Sequence, residues 1–175
     1  LTHSKEREAQ IDFSLTTFVT GTKVLVRANS GIKDVPELAG KRVVTAKGSS
    51  MEVNMRNAVP SANIITFDTS PQAFVALQQG KAVGYVNEDA SLARSLNQIG
   101  DKRSEYKILP TNLAVEPLAL GIKKGEANLK KVVAETLREL EASGKAEALY
   151  EHWCGQQSAL KMSKREFKID TDKID

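Results

Sequence analysis

The chain has 175 residues, of which 27% are charged, 41% hydrophobic and 5% aromatic, and its formal net charge is +3. This composition is typical of a folded globular protein, and the few aromatic and scattered basic side chains argue against a nucleic-acid-binding surface. No apolar run is as long as a membrane-spanning helix. The single cysteine, Cys154, and the two histidines, His3 and His152, argue against an internal disulfide, a zinc site and thiol catalysis. We therefore predict no metal and no cofactor.

From residue 41 to about residue 100, short apolar runs alternate with segments of helical spacing. The predicted elements, in chain order, are a strand at Lys41–Thr45, a helix at Met51–Ala58, a strand at Asn63–Phe67, a helix from Ser70 (its N-cap) and Pro71 to Gly80, a strand at Ala82–Val86, and a helix that buries Ala90, Ala93 and Leu96. Short strands separated by helices predict parallel βαβ units. Functional groups in such a lobe lie at the carboxyl ends of its strands.

Two extended segments, Phe18–Arg27 and Leu113–Ile122, flank this lobe. After the second, an apolar stripe at helical spacing predicts a helix that ends at Gly144; its members are Leu129, Val132, Val133, Thr136, Leu137 and Leu140. We interpret this stripe as core. A shorter helix at Lys145–Trp153 is predicted to be anchored by Leu149 and Trp153, and the polar tail after Gly155 to form a peripheral strand and coil.

The order of these segments predicts two lobes joined by paired crossing strands, which is typical of a hinge with a cleft. Residues 1–27 form part of lobe 1 and the first hinge strand, residues 28–112 form lobe 2, and residues 113–175 form the second hinge strand and the rest of lobe 1. Lobe 1 has too few elements to enclose a core. We expect either a partner to supply the remainder or the chain to be the C-terminal portion of a longer protein.

The segment Gly48-Ser49-Ser50 follows a strand and opens a helix. The first N–H groups of such a helix lack intrahelical partners and lie at the positive end of its dipole, so they bind anions well, and the two hydroxyl groups add donors. The segment lacks the lysine of a P-loop and the further glycines of a dinucleotide fingerprint. The alternative is that Ser49 or Ser50 simply caps its own helix, and the segment alone favours that interpretation.

Several motifs in this order resemble the periplasmic amino-acid-binding proteins of ABC importers, in particular their glutamate/aspartate-binding branch. They are Arg7–Ser14, Gly21-Thr22-Lys23, Ile32–Lys41, Gly48-Ser49-Ser50, Leu77–Val83 and Asn87-Glu88-Asp89. The resemblance implies an α/β, periplasmic-binding-protein-like two-lobe fold (type II) with lobe 2 complete and lobe 1 partial, because the family's chains begin well before the segment that matches Leu1.

The same resemblance implies a ligand site. Arg7 matches the arginine that binds the ligand α-carboxylate, and Thr2 matches a hydroxyl residue that contacts the same end of the ligand. Ser49 and Ser50 match the hydroxyl pair of lobe 2. Glu88 matches the acid that holds the α-ammonium group, where most bacterial relatives have Asp, and Asp89 is the alternative for that role.

The resemblance further implies a substrate-binding component of an ABC amino-acid importer that closes an interlobe cleft on a polar amino acid, L-glutamate or L-aspartate, without catalysis. ABC permease membrane subunits are the implied partners. The implied location is the Gram-negative periplasm, reached with a signal peptide absent from this chain. The partial lobe 1 predicts self-association. The alternatives are a cyclohexadienyl-dehydratase-like enzyme that uses Glu116 as an acid, and the ligand-binding module of a receptor.

Overall fold

The computed structural model describes residues 1–170, which contain six α-helices and six β-strands. In chain order they are α1 (Lys5–Glu8), β1 (Ile11–Arg27), β2 (Arg42–Ala46), α2 (Ser50–Ala58), β3 (Asn63–Phe67), α3 (Ser70–Gln78), β4 (Gly84–Glu88), α4 (Asp89–Gln98), β5 (Tyr106–Ile108), β6 (Ala114–Lys123), α5 (Ala127–Ala142) and α6 (Lys145–Trp153). In this part of the chain, no helix combines the length and the apolar character needed to cross a bilayer.

The contacts divide the chain into two units. Unit 1 consists of Leu1–Thr20 and the described residues from Glu116 onward, and unit 2 consists of Gly21–Val115. Strand β1 contributes residues to both units and also pairs with β6. That these units act as the two lobes of a hinge stays a prediction.

Unit 2 is built on a sheet with the strand order β3-β2-β4-β1-β5. Strand β2 pairs in parallel with β3 and β4, whereas β1 pairs antiparallel with β4 and β5. The predicted parallel βαβ units are therefore confirmed. Because β2 and β4 run in the same direction, their carboxyl ends, Ala46 and Glu88, lie at the same edge of the sheet.

The sheet of unit 2 is covered on both faces. Along β1, Val24 and Val26 pack into one apolar cluster, whereas Leu25 packs into a second one, as the two-residue repeat of a strand requires. Helix α2 packs Met51 and Met55 into the first cluster, and α3 and α4 supply the second cluster. All these side chains are buried, so unit 2 has a continuous core on each side of its sheet.

Three local predictions in unit 2 are wrong in detail. Thr69, rather than Ser70, caps α3, because its side chain accepts the N–H of Gln72 while the Gln72 side chain accepts the N–H of Thr69. Strand β4 begins at Gly84, two residues later than the predicted start, and ends at Glu88, which is in register with Thr22 of β1. In α4, Leu92 is buried with Ala93 and Leu96, whereas Ala90 is half-buried.

The apolar stripe of α5 is mostly not core. Leu137 is buried against Leu15 of β1 and Ile169, and Val133 and Leu140 are partly buried beside them. Leu129 and Val132 are exposed, as is Thr136. The helical prediction is confirmed, but too few elements face α5 in unit 1 to cover the whole stripe.

The predicted anchors of α6 are also exposed, at 51% for Leu149 and 65% for Trp153. The tail after Gly155 has no strand up to residue 170. It is instead attached to α5 and α6 by Arg165, which is buried and pairs with Glu141 and Glu147. The hydrogen bonds from Arg165 lower the pKa of Glu141 from its ordinary 4.5 to about 2, and the hydrogen bond from the Ile169 N–H group makes a smaller contribution.

Candidate functional site

Arg7 lies in α1, a single helical turn whose N-cap is Ser4. The guanidinium Nη1 donates a hydrogen bond of 2.8 Å to the backbone carbonyl of Thr2, and the side chain is half-buried. Across residues 1–170, no carboxylate lies within ion-pair distance of this guanidinium. Since an arginine has five N–H donors, most of its hydrogen-bonding capacity is available to a ligand.

Thr2 is held next to Arg7 by backbone contacts. It forms an isolated antiparallel bridge with Leu118 of β6, and the N–H of His3 donates to the carbonyl of Pro117. The structure therefore brings the two predicted residues of unit 1 together, although the hydrogen bond between them uses the carbonyl of Thr2 and not its hydroxyl group.

Ser49 is the N-cap of α2, as the structural interpretation of its motif predicts. Its hydroxyl oxygen accepts the N–H of Glu52 at 3.3 Å and donates to the carbonyl of Ala46 at 2.7 Å. Gly48 precedes it with a φ of 66°, a conformation that favours glycine. Because the single hydroxyl proton of Ser49 is already donated to the Ala46 carbonyl, Ser49 donates to a ligand only if that hydrogen bond is broken.

Ser50 is the first residue of α2 and is half-buried. Its Oγ lies 3.8 Å from the Sδ of Met51, and a thioether sulfur is a weak acceptor. Glu52, one turn into the helix, accepts the N–H of Gly48 at 3.0 Å, and bonds from Arg56 and then from Gly48 lower the pKa of its carboxyl. This carboxylate fixes the loop before α2.

Glu88 ends β4 and is the N-cap residue of α4, but its side chain does not cap that helix. It is in register with Thr22, whose hydroxyl accepts a hydrogen bond of 2.9 Å from Asn54 of α2. Residue Asn87 is buried, and its Oδ1 accepts the N–H of Glu88 at 2.9 Å. Within unit 2, the structure thus brings the predicted residues Ser49, Ser50 and Glu88 to the same edge of the sheet.

One further candidate and one missed residue complete the description. Glu116, the acid of the enzyme alternative, is buried in β6. Within residues 1–170, no group of three or more His, Cys, Asp and Glu side chains is placed to hold a metal ion. The missed residue is His3, which is 3% exposed and whose Nε2 lies 2.8 Å from Oε1 of Glu8 in α1. A five-residue spacing in sequence gives no helical signal for this contact.

The chain is similar in sequence and in fold to known proteins. The family described as "Bacterial extracellular solute-binding proteins, family 3" matches residues 1–156. The L-glutamate/L-aspartate-binding protein of Pseudomonas aeruginosa is 32% identical over 159 residues, which cover 89% of this chain and 52% of that protein. The ABC transporter glutamine-binding protein GlnH of Bacillus subtilis is 29% identical over 160 residues, or 91% and 57% of the two chains.

A solved structure, "An ancestral arginine-binding protein bound to arginine", matches with a TM-score of 0.79 at 28% identity, over 89% of this chain and 69% of that chain. The present chain spans about half the length of the curated relatives it matches.

Proposed function

Since the chain belongs to family 3 of the bacterial extracellular solute-binding proteins, we propose that it binds a polar α-amino acid for delivery to the membrane subunits of an ABC permease. The predicted fold class is confirmed, as a mixed α/β periplasmic-binding-protein fold of which the chain forms a part. The relatives are solute-binding proteins without enzymatic activity, so the dehydratase-like alternative is not retained. The family is extracellular or periplasmic, and we propose the Gram-negative periplasm for this chain.

The observation that carries the proposal is the set of partners of the Arg7 guanidinium. A half-buried guanidinium with one backbone acceptor and no carboxylate partner among residues 1–170 is suited to bind a carboxylate from a ligand. An arginine can bind both carboxylate oxygens at once through two parallel N–H donors, which fixes the orientation of the ligand as well as its charge. The α-carboxylate is the group that all α-amino acids offer.

Unit 2 would supply the remaining contacts. The hydroxyl of Ser50 and the first N–H groups of α2 are donors for a carboxylate, and the helix dipole favours a negative charge there. Ser49 would support them chiefly as the cap of α2. The carboxylate of Glu88, at the same edge of the sheet, would accept hydrogen bonds from the α-ammonium group, and Asp89 is the alternative for that role.

We propose L-glutamate or L-aspartate as the ligand. The support is the likeness to a protein named for both, at 32% identity. A relative named for glutamine is nearly as similar, at 29%. The binding experiment must therefore compare ligands with a side-chain carboxylate, glutamate and aspartate, with glutamine, which has a side-chain amide.

The experiment is a thermal-shift panel of the twenty amino acids, each at millimolar concentration. A ligand at 100 times its Kd stabilises the folded chain by about 2.7 kcal/mol, which is a clear upward shift of Tm. Stabilisation by glutamate or aspartate, with little from the others, supports the proposal. A larger shift with glutamine would refute the choice of an acidic ligand. A flat panel from a chain that melts cooperatively would refute amino-acid binding by this chain.

Self-association stays a proposal of its own. Leu129 and Val132 on α5 and Leu149 and Trp153 on α6 are each more than half exposed. Contact with a second copy of the chain would remove this apolar surface from water. Light scattering after gel filtration should give a mass above 19.1 kDa for the chain, and a monomer at high micromolar concentration would refute the proposal.

A further inference from the structure

Helix α1 has four residues, which is too short to be stable on its own. The bond that caps it, from the N–H of Arg7 to the Ser4 hydroxyl, is long at 3.4 Å. The orientation of Arg7 must therefore come from contacts between α1 and the rest of unit 1.

The first such contact is the side chain of His3. Its Nε2 lies 2.8 Å from Oε1 of Glu8, the last residue of α1. Since a carboxylate can only accept, the ring proton that makes this bond belongs to Nε2. The imidazole also stacks on Phe13 of β1 with 4.1 Å between ring centroids. The backbone N–H of His3 donates to the carbonyl of Pro117 in β6. Through His3, the side chain of Glu8 is attached to both strands.

The second contact is Lys124, which immediately follows β6. Its Nζ donates to the carbonyl of Glu8 and lies 3.5 Å from Oδ1 of Asp12. Asp12 in turn accepts the N–H of Gly125 at 3.0 Å. Glu8 is therefore held twice, by its side chain and by its carbonyl group. We call His3, Glu8 and Lys124 the α1 clamp.

We propose that the α1 clamp fixes α1 on the strands of unit 1 and thereby sets the position of the Arg7 guanidinium, so that His3 and Glu8 are positioning residues for carboxylate binding. This inference rests on the proposed function of Arg7. Arg7 immediately precedes Glu8, so a displacement of Glu8 moves the backbone of Arg7 with it. Within residues 1–170, Nδ1 of the buried His3 ring has no hydrogen-bond partner, so the bond to Glu8 is the polar contact that holds the ring. A bidentate contact depends on position at the ångström scale, so a loose α1 should weaken ligand binding.

The test combines two measurements on the same variants. Amide hydrogen exchange is followed at Glu8 and Gln10, whose N–H groups donate to the carbonyls of Ser4 and Arg7 at 3.0 Å each. Glutamate affinity is followed by calorimetry. The variants are His3→Ala and Glu8→Ala, which remove the contact, and Glu8→Gln, which keeps an acceptor. Glu6→Ala is the matched control, because Glu6 is an exposed acid of the same helix.

We expect His3→Ala and Glu8→Ala to speed exchange at both amides and to weaken glutamate binding by about tenfold, the effect of losing one hydrogen bond to a charged group. Glu8→Gln should stay within threefold of the wild type in both measurements, and Glu6→Ala should change neither. Because Glu8 is half-exposed, its variants should fold even if His3→Ala does not.

Unchanged exchange in Glu8→Ala would overturn the inference, as would faster exchange with unchanged affinity. A loss of affinity in Glu6→Ala as large as in Glu8→Ala would also overturn it. If the wild type binds no amino acid, the proposed function fails and exchange alone decides: acceleration in Glu8→Ala but not in Glu6→Ala supports the clamp.

Discussion

Glu141 makes the stability of unit 1 depend on pH. Its carboxylate binds the buried guanidinium of Arg165 and accepts the N–H of Ile169 at 2.9 Å, which attaches the tail to α5. These bonds are stronger with the ionised carboxyl, and they lower its pKa from 4.5 to about 2. The substitution Glu141→Gln keeps the shape of the side chain and removes the charge.

The size of the effect follows from the pKa difference. A carboxyl whose folded-state pKa lies about 2.5 units below the unfolded value stabilises the fold by about 3 kcal/mol at neutral pH. Since the Glu141 side chain is 19% exposed, solvent screening reduces this to about 2 kcal/mol. The contribution is complete well above pH 4.5, decreases as the pH falls from 4.5 towards 2, and is absent below that range.

Urea unfolding followed by circular dichroism should show this dependence. The free energy of unfolding of the wild type should exceed that of Glu141→Gln by about 2 kcal/mol at pH 7, and the two should converge near pH 2. Glu139→Gln, an exposed position on the same helix, is the matched control and should behave as wild type at every pH. A difference between wild type and Glu141→Gln that is constant from pH 7 to pH 2.5 would refute the argument.

Three further predictions concern unit 2. Ser49→Ala should lower the free energy of unfolding by about 1 kcal/mol through the lost helix cap, as thermal unfolding can show. Ser50→Ala should weaken ligand affinity about fivefold, as calorimetry can show, because it removes a hydrogen-bond donor to the ligand; an unchanged affinity would refute this role of Ser50. Gly84→Ala should destabilise the chain by about 1–3 kcal/mol because the added Cβ would lie 3.0 Å from Cγ1 of Val24 and 3.2 Å from Cγ1 of Val43, which pack on the same face of the sheet; an unchanged urea midpoint would show that this face has room to adjust.

The βαβ core could be predicted because its signals are local. A run of mostly β-branched residues gave β3 its bounds, Asn63–Phe67. The Gly48-Ser49 pair gave the start of α2 to within one residue. The sequence was consistent with two roles for Ser49, a helix cap and a ligand contact, and the structure shows the cap.

The errors in unit 1 have a different origin. The stripe that contains Leu129 and Val132 shows which face of α5 is apolar, but no periodicity can tell whether another element covers that face. The contacts of His3 with Glu8, and of Arg165 with Glu141, depend on how the chain folds back over 5 and 24 residues. Neither spacing belongs to a helix or a hairpin, so neither contact could be read from the sequence.

The most direct test of the central claim, that Arg7 binds the carboxylate of an amino-acid ligand, is a calorimetric titration of L-glutamate into the wild type, Arg7→Ala and Arg94→Ala. Arg94 is an exposed arginine of α4 and serves as the matched control. The account predicts that Arg7→Ala weakens binding by more than about thirtyfold, since losing one partner of a buried charge pair costs 2 kcal/mol or more, while Arg94→Ala stays within about threefold. Glutamate binding by Arg7→Ala within threefold of the wild type would contradict it.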